Sequence, residues 1–292
     1  MNWRTTRFLI DLTAPKVMGI VNVTPDSFSD GGQHASTRAA LAHCEKLLRD
    51  GADILDIGGE STRPGATPLP VDEELARVLP VVLEAIKLGV PISVDTYKPE
   101  VMQAVLGLGA DIINDIWALR QHGQPGLPDA AQVVSGHPAC GVCLMHMHGE
   151  PMTMQIQPMD GEVLPQVLLF LERITQYLQG LGVDRNRIVI DPGIGFGKTV
   201  QQNFSLLARQ QELLVSGYPL LAGWSRKSSL AAVMGPLPAP GDAQSAHERM
   251  VPSVAAAVLA AERGASILRV HDVRETVQAL TVLNALQRGT LK

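Results

Sequence analysis

Short apolar runs recur along this chain with polar, helix-like stretches between them. They are VMGIV at 17–21, DILDI at 53–57, ISV at 92–94 and DIIND at 111–115. The series continues with GVCLM at 141–145, RIVI at 187–190, PLLAG at 219–223 and SILRV at 266–270. The intervening segments carry apolar positions at helical spacing, as in STRAALAHCEKLLRD (36–50), PEVMQAVLGLG (99–109) and ERMVPSVAAAVLAAERG (248–264). Strands alternating with helices imply right-handed crossovers and a parallel sheet.

An internal echo supports this pattern. GADIL (51–55), GADII (109–113) and GASIL (264–268) each close a helix with glycine and launch a strand. The glycine suits the left-handed position after a helix, and the alanine needs little room. Eight such units fit a (β/α)8 TIM barrel formed as a single domain over residues 1–292. Periodicity alone leaves a doubly wound open sheet as the alternative.

Composition narrows the class. The chain is 46% hydrophobic, 18% charged and 4% aromatic, with 27 glycines, as expected of a globular protein with a sizeable core. A net charge of −5 argues against a general nucleic-acid or anionic-membrane surface. The N-terminal stretch does not read as a signal peptide, and no run approaches the roughly 18 apolar residues that span a bilayer. Three cysteines do not make a disulfide framework, so a cytoplasmic location is expected. Cys140 and Cys143 form a C-x-x-C followed by His146 and His148. The run GVCLMHM reads as a buried strand without a second cysteine pair, so core cysteine is the better reading than a metal or redox site.

In either architecture chemistry gathers just past the carboxyl ends of the strands. In order these ends offer Asn22; Glu60, Thr62 and Arg63; Asp95; Asn114; Met145; Asp191; Ser225, Arg226 and Lys227; then Arg269 and His271. Strand ends turn polar wherever they reach solvent, but here nearly every end carries a carboxylate, amide or cation. That pattern predicts a convergent polar site. Arg269 and His271 are two apart on one strand face, and Asn22 would neighbour them in a closed barrel, so a phosphate group is the natural guest. Asp95, Asn114 and Asp191 suit a planar ligand rich in N–H donors. Lys227 lies between the two sectors.

The stretch DPGIGFGKT (191–199) looks at first like a nucleotide loop. A Walker-type loop needs glycine five positions before the Gly of Gly-Lys-Thr, and that place holds Pro192, which has no N–H to offer a phosphate. An ATP-binding module fails on that count.

Several long blocks carry a resemblance. MGIVNVTPDSFSDGG (18–32), GADILDIGGESTRPGA (51–66), SVDTYKPEVM (93–102) and INDI (113–116) are similar to the dihydropteroate synthase pattern. So are CLMHMHGEPMTMQ (143–155), IDPGIGFGKT (190–199), GWSRKS (223–228) and LRVHDVRETVQA (268–279), in order over nearly the whole chain. The resemblance implies a transferase of folate biosynthesis. It would join 6-hydroxymethyl-7,8-dihydropterin diphosphate to p-aminobenzoate, yielding 7,8-dihydropteroate and pyrophosphate by ionisation at the pterin methylene. It implies that Asp95, Asn114, Met145, Asp191 and Lys227 hold the pterin, and that Asn22, Arg269 and His271 meet the diphosphate. Mg2+ would bridge Asn22 and the leaving group. Asp30 is implied as an electrostatic partner of the methylene cation, beside Lys227, Arg269 and His271 in catalysis. Phe28, Thr62, Arg63, Pro64, Phe196 and Ser228 match positions around p-aminobenzoate, where sulfonamides compete in the family. A homodimer is implied as well. Lys198 receives no role and reads as solvated.

Three departures stand out: Trp117 after NDI, Pro252 interrupting the last long helix, and a loop GPLPAPGDAQ (235–244) of its own length. Two rivals remain. A corrinoid-linked methyltransferase would have no use for an Arg–His anion clamp, and a non-catalytic pterin-binding paralogue would be expected to have lost loop residues.

Overall fold

The computed structural model describes residues 1–23, 32–61, 66–150, 153–154, 156–234 and 249–289, with backbone only at 32–35 and 288. A short antiparallel hairpin opens the chain, β1 (Asn2–Arg4) against β2 (Leu9–Asp11). Eight parallel strands follow: β3 (Lys16–Asn22), β4 (Ile54–Gly58), β5 (Ile92–Asp95), β6 (Ile112–Asp115), β7 (Gly141–Met145), β8 (Ile188–Asp191), β9 (Leu221–Ala222) and β10 (Ile267–Val270). They are hydrogen-bonded in the order β8-β7-β6-β5-β4-β3-β10-β9. A parallel bridge between Ile190 and Leu220 joins the two ends of that order into a nearly closed barrel. The pairing of β10 with β3, Leu268 opposite Val17 and Arg269 opposite Met18, decides against the open doubly wound sheet. Strands buried on both faces have no need to alternate, which is why they read as continuous apolar runs.

The helices between and after the strands are α1 (Gly32–Arg49), α2 (Val71–Ala85), α3 (Pro99–Leu108), α4 (Ala130–Gly136) and α5 (Val163–Gly180). Then come α6 (Val200–Ala208), α7 (Ser228–Val233), α8 (Met250–Glu262) and α9 (Val273–Arg288). The echoed glycines Gly51, Gly109 and Gly264 have φ of +103°, +101° and +90°, the left-handed turn expected after a helix. The aspartates of two echoes close the barrel floor: Asp53 accepts the Val17 N–H at 2.8 Å and Asp111 accepts the Ile92 N–H at 2.9 Å.

Two expectations are corrected. Pro252 does not interrupt a helix: it is the third residue of α8, in the first turn, where N–H groups have no intrahelical acceptor. Nor is α8 the last long helix, since α9 follows it. The N-terminal hairpin was not foreseen at all. It plugs the floor, burying Trp3 completely among Ile10, Leu12, Met18, Ile54, Ile112, Cys143, Val189, Leu221 and Ile267. The Trp3 indole N–H donates to the Arg187 carbonyl at 2.9 Å. Burying that side chain is worth up to roughly 4–6 kcal/mol. Cys44, Cys140 and Cys143 are free thiols inside the core, which bears out the core reading of Cys140 and Cys143.

Candidate active site

Above the floor the barrel interior turns from apolar to charged. Arg269 on β10 donates to Asp56 on β4 through Nε at 2.6 Å and to Asp95 on β5 through its guanidinium at 2.6 Å. Asn114 on β6 donates its amide N–H to the same Asp56 oxygen at 3.2 Å. Four strands therefore meet in one polar cluster, and every member except Arg269 is buried. Burial pushes Asp95 up to about 7, and the pull of Arg269, which it shares with Asp56, does not offset this. Burial also raises Asp191, opposed by the Gly193 N–H and by Lys227.

Asp56 Oδ1, Asp95 Oδ1 and the Ser93 hydroxyl are buried with no partner among the described residues. Buried polar groups are costly unless bonded, so this cluster suits a ligand that brings its own donors. Asp56 and Ser93 are absent from the residues the sequence suggested. The signal was present in DILDI, where a carboxylate sits within a strand otherwise buried throughout.

The strand end DPGIGFGKT is shaped by three left-handed glycines, Gly193, Gly195 and Gly197, at φ of +70°, +81° and +69°. A Cβ at Gly193 would stand 1.8 Å from the His146 carbonyl oxygen, and one at Gly197 2.3 Å from that of His148. Only glycine lets this loop lie against the chain leaving β7. Its N–H groups are engaged within the protein: Gly193 to Asp191 Oδ1 at 2.7 Å, Gly195 to Asn203 Oδ1 at 2.9 Å and Phe196 to the Gly193 carbonyl at 3.1 Å. They form no phosphate cradle.

Lys198 is not solvated; it is 2% exposed. Its ammonium lies 2.9 Å from His146 Nδ1 and donates to the carbonyls of Gly193 at 2.9 Å, Phe196 at 3.1 Å and His146 at 3.3 Å. The glycine turns point those carbonyls inward, and a buried cation satisfies them. Burial lowers this lysine to about 7, with Asp191 opposing. His146 is pushed down to about 2 by burial and by Lys198, so its ring is neutral.

Lys227, between strand end and α7, hangs its ammonium 4.2 Å from the centre of the Phe196 ring. Burial brings it down to about 8 against the attraction of Asp191. Phe196 packs with Ile116, Met145, Met147 and Met154 in one small apolar cluster, with Tyr97 and Trp117 against it. Ser228 opens α7 and is exposed.

The anion sector differs from its expected form. Asn22 ends β3, paired in register with Gly58, and is half-buried. His271 Nδ1 lies 2.9 Å from the Ser225 hydroxyl, which also accepts the His271 N–H at 3.1 Å. Arg269, grouped with them by sequence, instead directs its donors to Asp56 and Asp95, so it bridges both sectors. Arg226 holds a left-handed backbone at φ +59° and pairs with Asp272 at 2.7 Å, fixing Ser225 and Lys227 on either side. Phe28, Asp30, Thr62, Arg63 and Pro64 lie outside the described residues, as does the loop 235–244. As to a metal, no group of three His, Cys, Asp or Glu among the described residues could hold one. The single amide oxygen of Asn22 fits only a hard cation whose other ligands come from phosphate and water.

The family described as Pterin binding enzyme matches residues 18–271. A dihydropteroate synthase of Neisseria meningitidis serogroup B is 47% identical over 289 residues, covering 97% of each chain. Among solved structures, Xanthomonas albilineans dihydropteroate synthase with 4-aminobenzoic acid superposes with a TM-score of 0.87 at 47% identity, covering 98% of this chain and 99% of that one. Burkholderia cenocepacia dihydropteroate synthase complexed with 7,8-dihydropteroate gives 0.84 at 46% identity, covering 99% and 97%. With likeness of that extent around a barrel whose strand ends converge on buried carboxylates, the chain belongs to the dihydropteroate synthase family of pterin-binding enzymes, and is a transferase.

Proposed function

We propose that this chain condenses 6-hydroxymethyl-7,8-dihydropterin diphosphate with p-aminobenzoate to form 7,8-dihydropteroate and pyrophosphate. The observation that carries the reading is the set of buried, unpartnered acceptors on Asp56, Ser93 and Asp95 beside Asn114, Asp191 and Lys227. A pterin edge presents N–H donors in one plane, which such acceptors match. The 4-aminobenzoic acid and 7,8-dihydropteroate bound by the two structural relatives support the same substrates.

In this reading Asp95, Asn114 and Asp191 take the pterin, Met145 packs on it, and Lys227 donates from the side of Phe196. Asn22, Arg269 and His271 meet the diphosphate. The C–O bond between methylene and diphosphate breaks, and its electron pair leaves with pyrophosphate. The cation left on the methylene is captured by the p-aminobenzoate nitrogen, which then loses a proton. Preorganised cations at the leaving group lower this barrier without rearranging during the step. Asn22 would hold Mg2+ together with the phosphates, and the ion would supply charge neutralisation to the departing group. Asp30 would stabilise the methylene cation, with Phe28, Thr62, Arg63, Pro64, Phe196 and Ser228 around p-aminobenzoate. Exposed Val251, Val282 and Leu286 on α8 and α9 fit a homodimer face, checked by light scattering. A cytoplasmic location belongs to the same proposal; no helix among the described residues is long and apolar enough to cross a membrane.

Pyrophosphate release from the pterin diphosphate tests the reading, with and without p-aminobenzoate and Mg2+, in wild type and Asp191→Ala. Release that depends on p-aminobenzoate and collapses in the variant is expected. Tight pterin binding without release would establish a non-catalytic paralogue. Scrambling of 18O from the methylene–phosphate bridge into the non-bridging α-phosphoryl oxygens of unreacted substrate is expected for ionisation first; capture without scrambling and without an α-secondary deuterium isotope effect at the methylene would refute that step.

A further inference from the structure

Two neighbouring ties join the chain after β9 to the chain after β10, and neither pair is needed to close the barrel. Ser225 meets His271, and Arg226 donates to Asp272 through Nε at 3.2 Å and a terminal nitrogen at 2.7 Å. Asp272 stands just before α9, where an aspartate ordinarily accepts the helix's own N–H groups, yet its side chain makes no cap bond. It reaches across to the other loop instead. The Arg226 N–H donates to the Ser253 hydroxyl of α8 at 2.8 Å, and Arg249 donates to the Arg226 carbonyl at 3.0 Å. The left-handed turn at Arg226 is thus held from three sides, and Ser225 is set in place with it.

Ser225 is 8% exposed. Its oxygen accepts the His271 backbone N–H at 3.1 Å and lies 2.9 Å from Nδ1 of the same residue. A hydroxyl has one proton to give. Were the ring proton on Nδ1, the oxygen would accept twice, and its own proton would have no acceptor among the described residues. A buried donor left in that state is costly. With the ring proton on Nε2, Nδ1 accepts from the hydroxyl, and the hydroxyl both accepts and donates. The partner of one imidazole nitrogen decides which nitrogen carries the proton.

We infer that Ser225 is a positioning residue for the leaving group. It holds the His271 ring and keeps the proton on Nε2, so that the diphosphate meets an N–H rather than a lone pair. This rests on the synthase reading above, in which His271 meets the diphosphate. In that reading the pterin ring is held by Asp95, Asn114 and Asp191, so loss of the hydroxyl should strike the anion and spare the ring.

The test uses the full chain as wild type, Ser225→Ala and Ser225→Thr. Nitrogen NMR of histidine-labelled protein reads the tautomer of His271, whose signals are identified by their loss in His271→Gln. Calorimetric titration with pyrophosphate and Mg2+ reads the anion sector, and titration with 6-hydroxymethyl-7,8-dihydropterin, which lacks the diphosphate, reads the ring sector. In wild type Nδ1 should be the unprotonated nitrogen. Ser225→Ala should leave the ring exchanging between tautomers and weaken pyrophosphate by about tenfold, with the diphosphate-free pterin within about twofold. Ser225→Thr, which keeps the hydroxyl, should recover most of both effects. If Ser225→Ala does not fold, Ser225→Cys, similar in size and a weaker donor, carries the same expectation. The inference is overturned if wild type carries the proton on Nδ1, if the variant binds pyrophosphate as wild type does, or if both ligands weaken together. A wild type that shows the Nε2 tautomer and binds pyrophosphate, yet releases none from the pterin diphosphate with p-aminobenzoate, overturns the synthase reading and leaves Ser225 as the group that orients His271 toward an anion.

Discussion

Gly193 offers a controlled test of how the loop after β8 is built. Gly89 has nearly the same backbone, φ +74° against +70°, but nothing lies within 4 Å of a Cβ built on it. Gly89→Ala therefore measures left-handed strain alone, about 1–2 kcal/mol, partly offset by about 0.4–1 kcal/mol from the stiffer unfolded chain. Its melting temperature should fall by no more than roughly 4 °C. Gly193→Ala adds a collision, because its Cβ would sit 1.8 Å from the His146 oxygen, and real contacts begin near 3.0 Å. The loop and the β7 exit must part by about 1.2 Å, the difference between those two distances. That movement breaks into the His146 N–H to Asp191 carbonyl bond at 2.9 Å and the shared hold of Lys198 on both carbonyls. Two or three bonds, one set from a charged donor, bring the total to about 4 kcal/mol, a fall of roughly 8–16 °C. Asp191 lies two residues upstream and accepts the Gly193 N–H. An ångström of displacement there should weaken pterin binding by about a hundredfold. Calorimetric melting of both variants, with titration of the pterin diphosphate, makes the comparison. If Gly193→Ala melts with Gly89→Ala and binds pterin as wild type does, the loop is not packed as described.

Two further outcomes follow from the buried charges. Lys198→Met strips the donor from three carbonyls and should lower stability by about 3 kcal/mol, roughly 6–12 °C in Tm; a change under about 2 °C would show that the ammonium holds nothing. Pterin affinity should depend on pH with two opposite limbs. Asp95 accepts N–H donors more strongly when ionised, so affinity should rise as pH climbs toward about 7, by at most tenfold per unit, and level off above it. Lys227 donates as a cation only below about 8, so affinity should fall again above that value. Titrations between pH 5.5 and 9.5 (chosen to span both values) that gave a flat profile would refute this account.

The barrel was legible because buried parallel strands need no alternation, leaving compact apolar words such as GVCLM, whose bounds match β7 residue for residue. The run PLLAG shortened to Leu221–Ala222, at the seam where β8 and β9 meet only through one bridge. The hairpin was missed because NWR and LID are too short to show a period, and what makes them strands is the floor they pack on. Asp95, Asn114, Asp191 and Lys227 were legible as polar groups ending apolar runs. The partners of Arg269 were not, since a sequence shows that a cation ends β10 but not which of several nearby carboxylates it will choose. Lys198 was misread for a related reason: its acceptors are mainly backbone carbonyls, which leave no mark on the sequence.

The plug under the barrel also bears on when this chain can fold during synthesis. Trp3 is made well before its partner, since it donates its indole proton to the carbonyl of Arg187, 184 positions later. The floor around it is completed only by Leu221 on β9 and Ile267 on β10. Until the last strand leaves the ribosome, a nascent barrel has a greasy tryptophan and no finished seat for it. Contacts between segments so far apart in sequence are slow to form, and the waiting intermediate is open to misassociation. The hairpin thus commits the whole chain to late, concerted closure rather than strand-by-strand settling.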